Sequence, residues 1–98
     1  MTIPSITGTM EDMARTGREW TELDRELMRI IFDARDAMPN APSLREIARR
    51  IGVSQPRVLD LRDGQHGQPS VDELCGICDA VGLDPAKTLD EALKATGR

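Results

Sequence analysis

A chain of 98 residues has room for one compact core and little more. Apolar residues make up 39% of it and aromatic residues only 2%, just Trp20 and Phe32, so the core must be aliphatic, which suits packed helices better than a sheet. Net charge is −4, against a uniformly basic nucleic-acid binder. No apolar run approaches the roughly 18 residues of a membrane span, and the N-terminus lacks the basic-then-apolar order of a signal peptide. A cytoplasmic protein with no membrane partner is the expectation.

Residues 1–18 are expected to be an N-terminal arm, partly flexible, with a short helix opening at Thr9 and interrupted by Gly17. A domain follows over residues 19–98. Its first helix is expected from Glu19 to Ala37, with Trp20, Leu23, Leu27, Ile30 or Ile31, Ala34 and Met38 as an amphipathic stripe. Pro39-Asn40-Ala41-Pro42 stops it. Ser43-x-x-Glu46 reads as a capping box opening a second helix, whose buried face is Leu44, Ile47, Ala48 and Ile51. Gly52 ends that helix, Val53 turns inward, and Ser54 caps a third helix with Pro56 in its first turn and Val58 and Leu61 inward. Gly64 ends the third helix, and Gln65-His66-Gly67-Gln68-Pro69 is a polar loop. Ser70-x-x-Glu73 is a second capping box, opening a fourth helix with Val71, Leu74, Ile77, Cys78 and Val81 inward. Gly82 ends it, and Asp84-Pro85 starts a fifth helix with Leu89 and Leu93 inward.

Charge is distributed unevenly along these elements. Residues 1–42 and 71–98 each carry −3, whereas residues 43–70 carry five Arg against Glu46, Asp60 and Asp63, a local +2. The positive segment is the one that holds two short helices joined by a Gly52 turn. Such a turn sets two helices at a steep angle, so that the second stands clear of the core, and Ala48 is small where they cross.

Residues 43–83 resemble the Cro/repressor (XRE-type) helix-turn-helix family over about two-fifths of the chain. The matching marks are Ala48, Gly52, Val53, Ser54, Val58, Leu61, Gly64, Ser70, Leu74, Ala80 and Gly82. Gln55-Pro56-Arg57-Val58-x-Asp60-Leu61 is closest to small phage regulators and HigA-like antitoxins. The resemblance implies an all-α, lambda-repressor-like bundle of about five helices, with a helix-turn-helix core over residues 43–64. It places Gln55, Pro56, Arg57, Leu59 and Asp60 at base-reading positions. Gln55 suits adenine, Arg57 guanine or a phosphate, Leu59 a thymine methyl and Asp60 a cytosine amine. Backbone contacts are expected from Ser43, Arg45, Arg49, Ser54, Arg62, Gln65 and His66, including amides at the helix N-termini. The chain departs from the family at Leu44, where many members carry a phosphate-binding Gln, and in its longer, more acidic first helix.

The expected function is that of a sequence-specific, double-stranded DNA-binding transcriptional regulator: a repressor acting as a homodimer on an inverted-repeat operator. Alternatives on the same fold are an antitoxin that autoregulates its operon and binds a toxin, and a protein–protein adaptor. No nucleophile–base arrangement or phosphate-cradling loop suggests an enzyme. Cys75 and Cys78 form a CxxC, but with His66 as the sole histidine they fall short of four zinc ligands, so neither metal nor cofactor is expected. Trp20 reads either as core or as a dimer anchor.

Overall fold

A computed structural model describes residues 19–98 as five consecutive helices: α1 (Glu22–Asp36), α2 (Leu44–Ile51), α3 (Gln55–Asp63), α4 (Val71–Val81) and α5 (Pro85–Ala95). The described residues contain no strand, and no helix among them is long and apolar enough to cross a membrane. The arm and the short helix expected before Glu19 lie outside the described residues.

Helix α1 starts three residues later than its apolar stripe suggests, because Thr21 caps it. The Thr21 hydroxyl accepts from the Asp24 amide at 3.1 Å, and Asp24 Oδ2 accepts from the Thr21 amide at 2.9 Å. The box is thus spelt Thr-x-x-Asp, and Trp20 sits outside the helix. Ser70 and Glu73 form the expected reciprocal box on α4. At α2 only half of the expected box exists. Ser43 Oγ accepts from the Glu46 amide at 3.0 Å, but the Glu46 carboxylate turns to Arg49 and Arg50 instead of the Ser43 amide. A bidentate guanidinium competes better for a carboxylate than one backbone N–H does.

Helix α2 ends at Gly52, with φ +75°, and the amides of Gly52 and Val53 both reach the Ala48 carbonyl, at 2.9 and 3.0 Å. This left-handed exit satisfies a terminal carbonyl and folds Val53 back onto the core. Helix α4 leaves the same way, with Leu83 N–H bonded to Cys78 O at 2.8 Å.

The core is aliphatic, as the composition requires. It joins Leu27, Met28, Ile31 and Phe32 of α1, Ile47 and Ala48 of α2, Val58 and Leu61 of α3, four residues of α4, and Ala92 of α5. The stripe on α1 is rotated from the expected one. Ile31 is buried and Ile30 half-buried, and Met28 and Phe32 replace Ala34 as major contributors. Two expected inward positions are corrected. Val71, the first residue of α4, is 75% exposed, and Leu93 is only half-buried while Thr88 and Ala92 take the inner face of α5. The Thr88 hydroxyl is accommodated there by donating to the Asp84 carbonyl at 2.9 Å.

Helices α2 and α4 approach closely at Gly76. A Cβ at that position would stand 2.7 Å from Ile51 Cγ2 and 3.2 Å from Ile51 Cβ. The gain in helix propensity on Gly76→Ala, about 1 kcal/mol, is therefore opposed by overpacking of about 1–3 kcal/mol against a stiff, β-branched neighbour. Thermal denaturation should show Gly76→Ala to be destabilising on balance. Ile51→Ala removes the clashing methyl, so the double variant should lose clearly less than the sum of the two single losses. Additive losses would mean that the helices do not meet there. Gly52→Ala should cost about 1–2 kcal/mol through backbone strain alone, since open space surrounds its Cβ position.

Candidate nucleic-acid interface

Helix α3 meets the core through Val58 and Leu61, both fully buried. At 3.6 residues per turn this turns Pro56, Leu59, Asp60 and Asp63 to the opposite side, with Gln55 and Arg62 on one flank and Arg57 on the other. Gln55, Pro56, Arg62 and Asp63 are exposed, and Leu59 and Asp60 half-buried. Leu59 is not part of the core cluster. The structure thus brings Gln55, Pro56, Leu59 and Asp60 together on one open surface, with Gln65 and His66 exposed just beyond its C-terminal end.

Arg57 is not on that surface. Its Nε and one terminal nitrogen grip the Glu73 carboxylate at 2.8 Å each, and the guanidinium also donates to the carbonyls of Gly67 at 3.0 Å and Gln68 at 3.2 Å. Its side chain is 23% exposed and that of Glu73 15%. Arg57, expected at a base-reading position, instead makes an internal tie between α3, the following loop and α4. Glu73 serves this tie and the α4 cap at once, since Oε1 also accepts from the Ser70 amide at 2.9 Å. Hydrogen bonding from Arg57, followed by that from Ser70, outweighs burial and holds the Glu73 carboxyl below its usual range.

The loop of residues 65–69 has no regular structure but is held at both ends. Trp20 Nε1 donates to the carbonyls of His66 at 2.8 Å and Gln65 at 3.3 Å, and Gln68 Nε2 donates to the buried Asp24 at 2.8 Å. Trp20, half-buried, also packs against the core. It pins the loop, while Arg25 lies 5.8 Å above its ring. His66 takes φ 60°, and its Nδ1 lies 3.0 Å from Asp60 Oδ2.

The remaining expected contacts lie around α2 and the two caps. Ser43 and Ser54 spend their hydroxyls on the amides of Glu46 and Arg57. Arg49 and Arg50 share Glu46 on the exposed side of α2, and their hydrogen bonds, Arg50's first, keep its carboxyl low. Arg62 pairs with Asp63 at 3.0 Å. Arg45 is exposed and, among the described residues, makes no ion pair. Leu44 packs on the core. Cys75 is exposed and Cys78 buried, both as free thiols, and burial pushes the Cys78 thiol up. Among the described residues no three His, Cys, Asp or Glu side chains are grouped to hold a metal.

Comparison with known proteins finds no matching family model, no matching curated protein and no matching solved structure.

The Arg57–Glu73 tie should be visible in stability and in its pH dependence. Glu73→Gln leaves a mostly buried guanidinium without its counter-charge and should cost about 1–2 kcal/mol at pH 7, roughly 5–15 °C in Tm for a domain of this size. Because the folded-state pKa of Glu73 is depressed, the tie contributes fully above the unfolded carboxylate value near 4.3 and is lost as pH falls through the lower folded value. The wild-type advantage over Glu73→Gln should stay constant near neutrality and shrink below about pH 4. An advantage that persists undiminished at pH 2 would assign the loss to packing.

Proposed function

We propose that this chain is a sequence-specific, double-stranded DNA-binding transcriptional regulator, a repressor that binds an inverted repeat as a homodimer through a lambda-repressor-like helix-turn-helix formed by α2 and α3. The observation that carries the reading is the open outer side of α3. That helix is fastened at one side by Val58, Leu61 and Arg57, while on the other Gln55, Pro56 and Asp63 are exposed and Leu59 and Asp60 half-buried. It follows a left-handed Gly52 turn from a helix bearing three arginines. A short helix presented in this way has the width and the reach to enter a major groove. The serine caps leave the amides of Leu44 and Arg45 at the start of α2, and that of Gln55 at the start of α3, without a partner inside their helices, and such amides bind phosphates well. The resemblance of residues 43–83 to XRE-type domains supports the same reading. It assigns the chain no catalytic role and no cofactor.

A protein–protein adaptor, or an antitoxin using this face on its toxin, is the second reading. It is favoured by one specific observation: the outer side of α3 presents Asp60 and Asp63, and its arginine neighbour Arg57 is turned inward. Carboxylates on a groove-facing helix repel phosphates and suit a basic protein surface.

Selection from random duplex DNA followed by a salt titration separates the two. A DNA regulator should enrich an inverted repeat and lose affinity as salt rises. The exposed arginines of the α2–α3 segment are Arg45, Arg49, Arg50 and Arg62, which together would give a dimer a log–log slope of about −7. Arg45→Ala should weaken all sequences equally and flatten that slope by about 1 per protomer. Absence of binding at low salt would overturn the DNA reading and leave the adaptor.

A further inference from the structure

We infer that base selection by α3 runs through an apolar pair, Pro56 and Leu59, which reads thymine methyl groups, while Arg57 reads no base. The inference rests on the DNA-binding reading above and names what that surface selects.

Three observations carry it. First, Arg57 has almost nothing left to offer. A guanidinium has five N–H donors, and four of the bonds they can make are already made to Glu73, Gly67 and Gln68. Reaching a guanine edge would mean giving up a bidentate, mostly buried ion pair and releasing the loop that follows α3. Second, Pro56 and Leu59 stand on the side of α3 opposite Val58 and Leu61. Pro56 is exposed, and Leu59 is half-buried without joining the core. The exposed part of each is the apolar surface that this side of α3 leaves to a partner. Third, the polar groups beside them on this side are carboxylates. Asp60 faces His66 at 3.0 Å and Asp63 faces Arg62 at 3.0 Å. These carboxylates accept only, so they cannot bond the acceptor-rich edge of guanine.

The major groove displays one apolar group, the C5 methyl of thymine. Pro56 and Leu59 therefore have a single class of partner there, and Gln55 on the adjacent flank can pair with the adenine edge. The preferred half-site is rich in A·T pairs under the N-terminal half of α3. Discrimination at each position comes from a buried methyl, so it is modest: about 0.8 kcal/mol per group, which is about fourfold in Kd at 1.4 kcal/mol per tenfold.

The test uses the full chain and the duplex that it selects from a random pool. Each thymine of the half-site is replaced in turn by deoxyuridine, which lacks only the methyl, and Kd is measured by fluorescence anisotropy. At one or two positions per half-site Kd should rise about fourfold. In Leu59→Ala the same swaps should change Kd by less than twofold, with Tm confirming that this variant folds. Replacing each guanine of the half-site by 7-deazaguanine, which removes the N7 acceptor that a bidentate arginine needs, should change Kd by less than twofold. Binding that is indifferent to every deoxyuridine swap, or that is weakened more by a 7-deazaguanine swap than by any deoxyuridine swap, overturns the inference and leaves the DNA reading standing. Failure of the wild-type chain to bind duplex at low salt overturns both.

Discussion

The arrangement around α3 depends on one ion pair. Arg57 projects from the flank of α3 rather than from its outer side, and Glu73 meets it from the first turn of α4 with both oxygens at 2.8 Å. Between them runs the loop of residues 65–69, whose Gly67 and Gln68 carbonyls complete the guanidinium's set of acceptors. A five-residue connection without secondary structure would ordinarily leave two helices free to reorient. Here a partly buried charge, stranded if the loop moves, penalises every other orientation. Trp20 and Asp24 hold the same loop from the side of α1. The angle of α3 is thus set by side chains from three directions as well as by its two buried apolar residues.

That fixation also determines what α3 can offer to a partner. The tie withdraws the one arginine of the helix interior from its surface, and what remains outward, apart from Gln55 and Arg62 on one flank, is apolar or acidic. The nearby arginines are in a different state. Arg49, Arg50 and Arg62 sit in exposed pairs with Glu46 and Asp63. Such pairs are worth about 0–1 kcal/mol, so a phosphate can draw these side chains away cheaply. Arg57, with four bonds to give up, cannot be drawn away at the same cost. Two classes of arginine therefore coexist within one basic segment, one structural and one available, and burial rather than sequence position separates them.

Much of the fold was legible because it is written locally. Ser43, Ser54, Ser70 and Asp84 cap helices within four residues, and Gly52, Gly64 and Gly82 end them, all at positive φ. What was not legible lies far apart in sequence. The Arg57–Glu73 pair spans 16 residues, the Asp24–Gln68 bond 44 and the Trp20–His66 bond 46. None carries a spacing signature. Gly76 likewise reads as an ordinary member of a CxxC until Ile51 of another helix is placed against it. Of the candidate surface, the resemblance placed Gln55, Pro56, Arg57, Leu59 and Asp60 together as base-reading. It did not separate Arg57 from the rest, because the side chain that engages it, Glu73, lies 16 residues away on another helix.

The acidic balance of the chain fits this division. A surface that held all five arginines of residues 43–70 free would bind any polyanion through counterion release, with little dependence on sequence. Committing Arg57 to Glu73, and placing Glu46 and Asp63 against three of the others, lowers that indiscriminate attraction. Discrimination is a difference between affinities, so weakening the sequence-independent part raises the share decided at the outer side of α3. On the DNA reading, the acidic residues around the basic segment are the means by which a small helix with few hydrogen-bond donors can still select. On the adaptor reading, the same residues are the contact itself. Both readings thus draw on a single physical fact, that Arg49, Arg50, Arg57 and Arg62 are each paired with a carboxylate within the chain before any partner arrives.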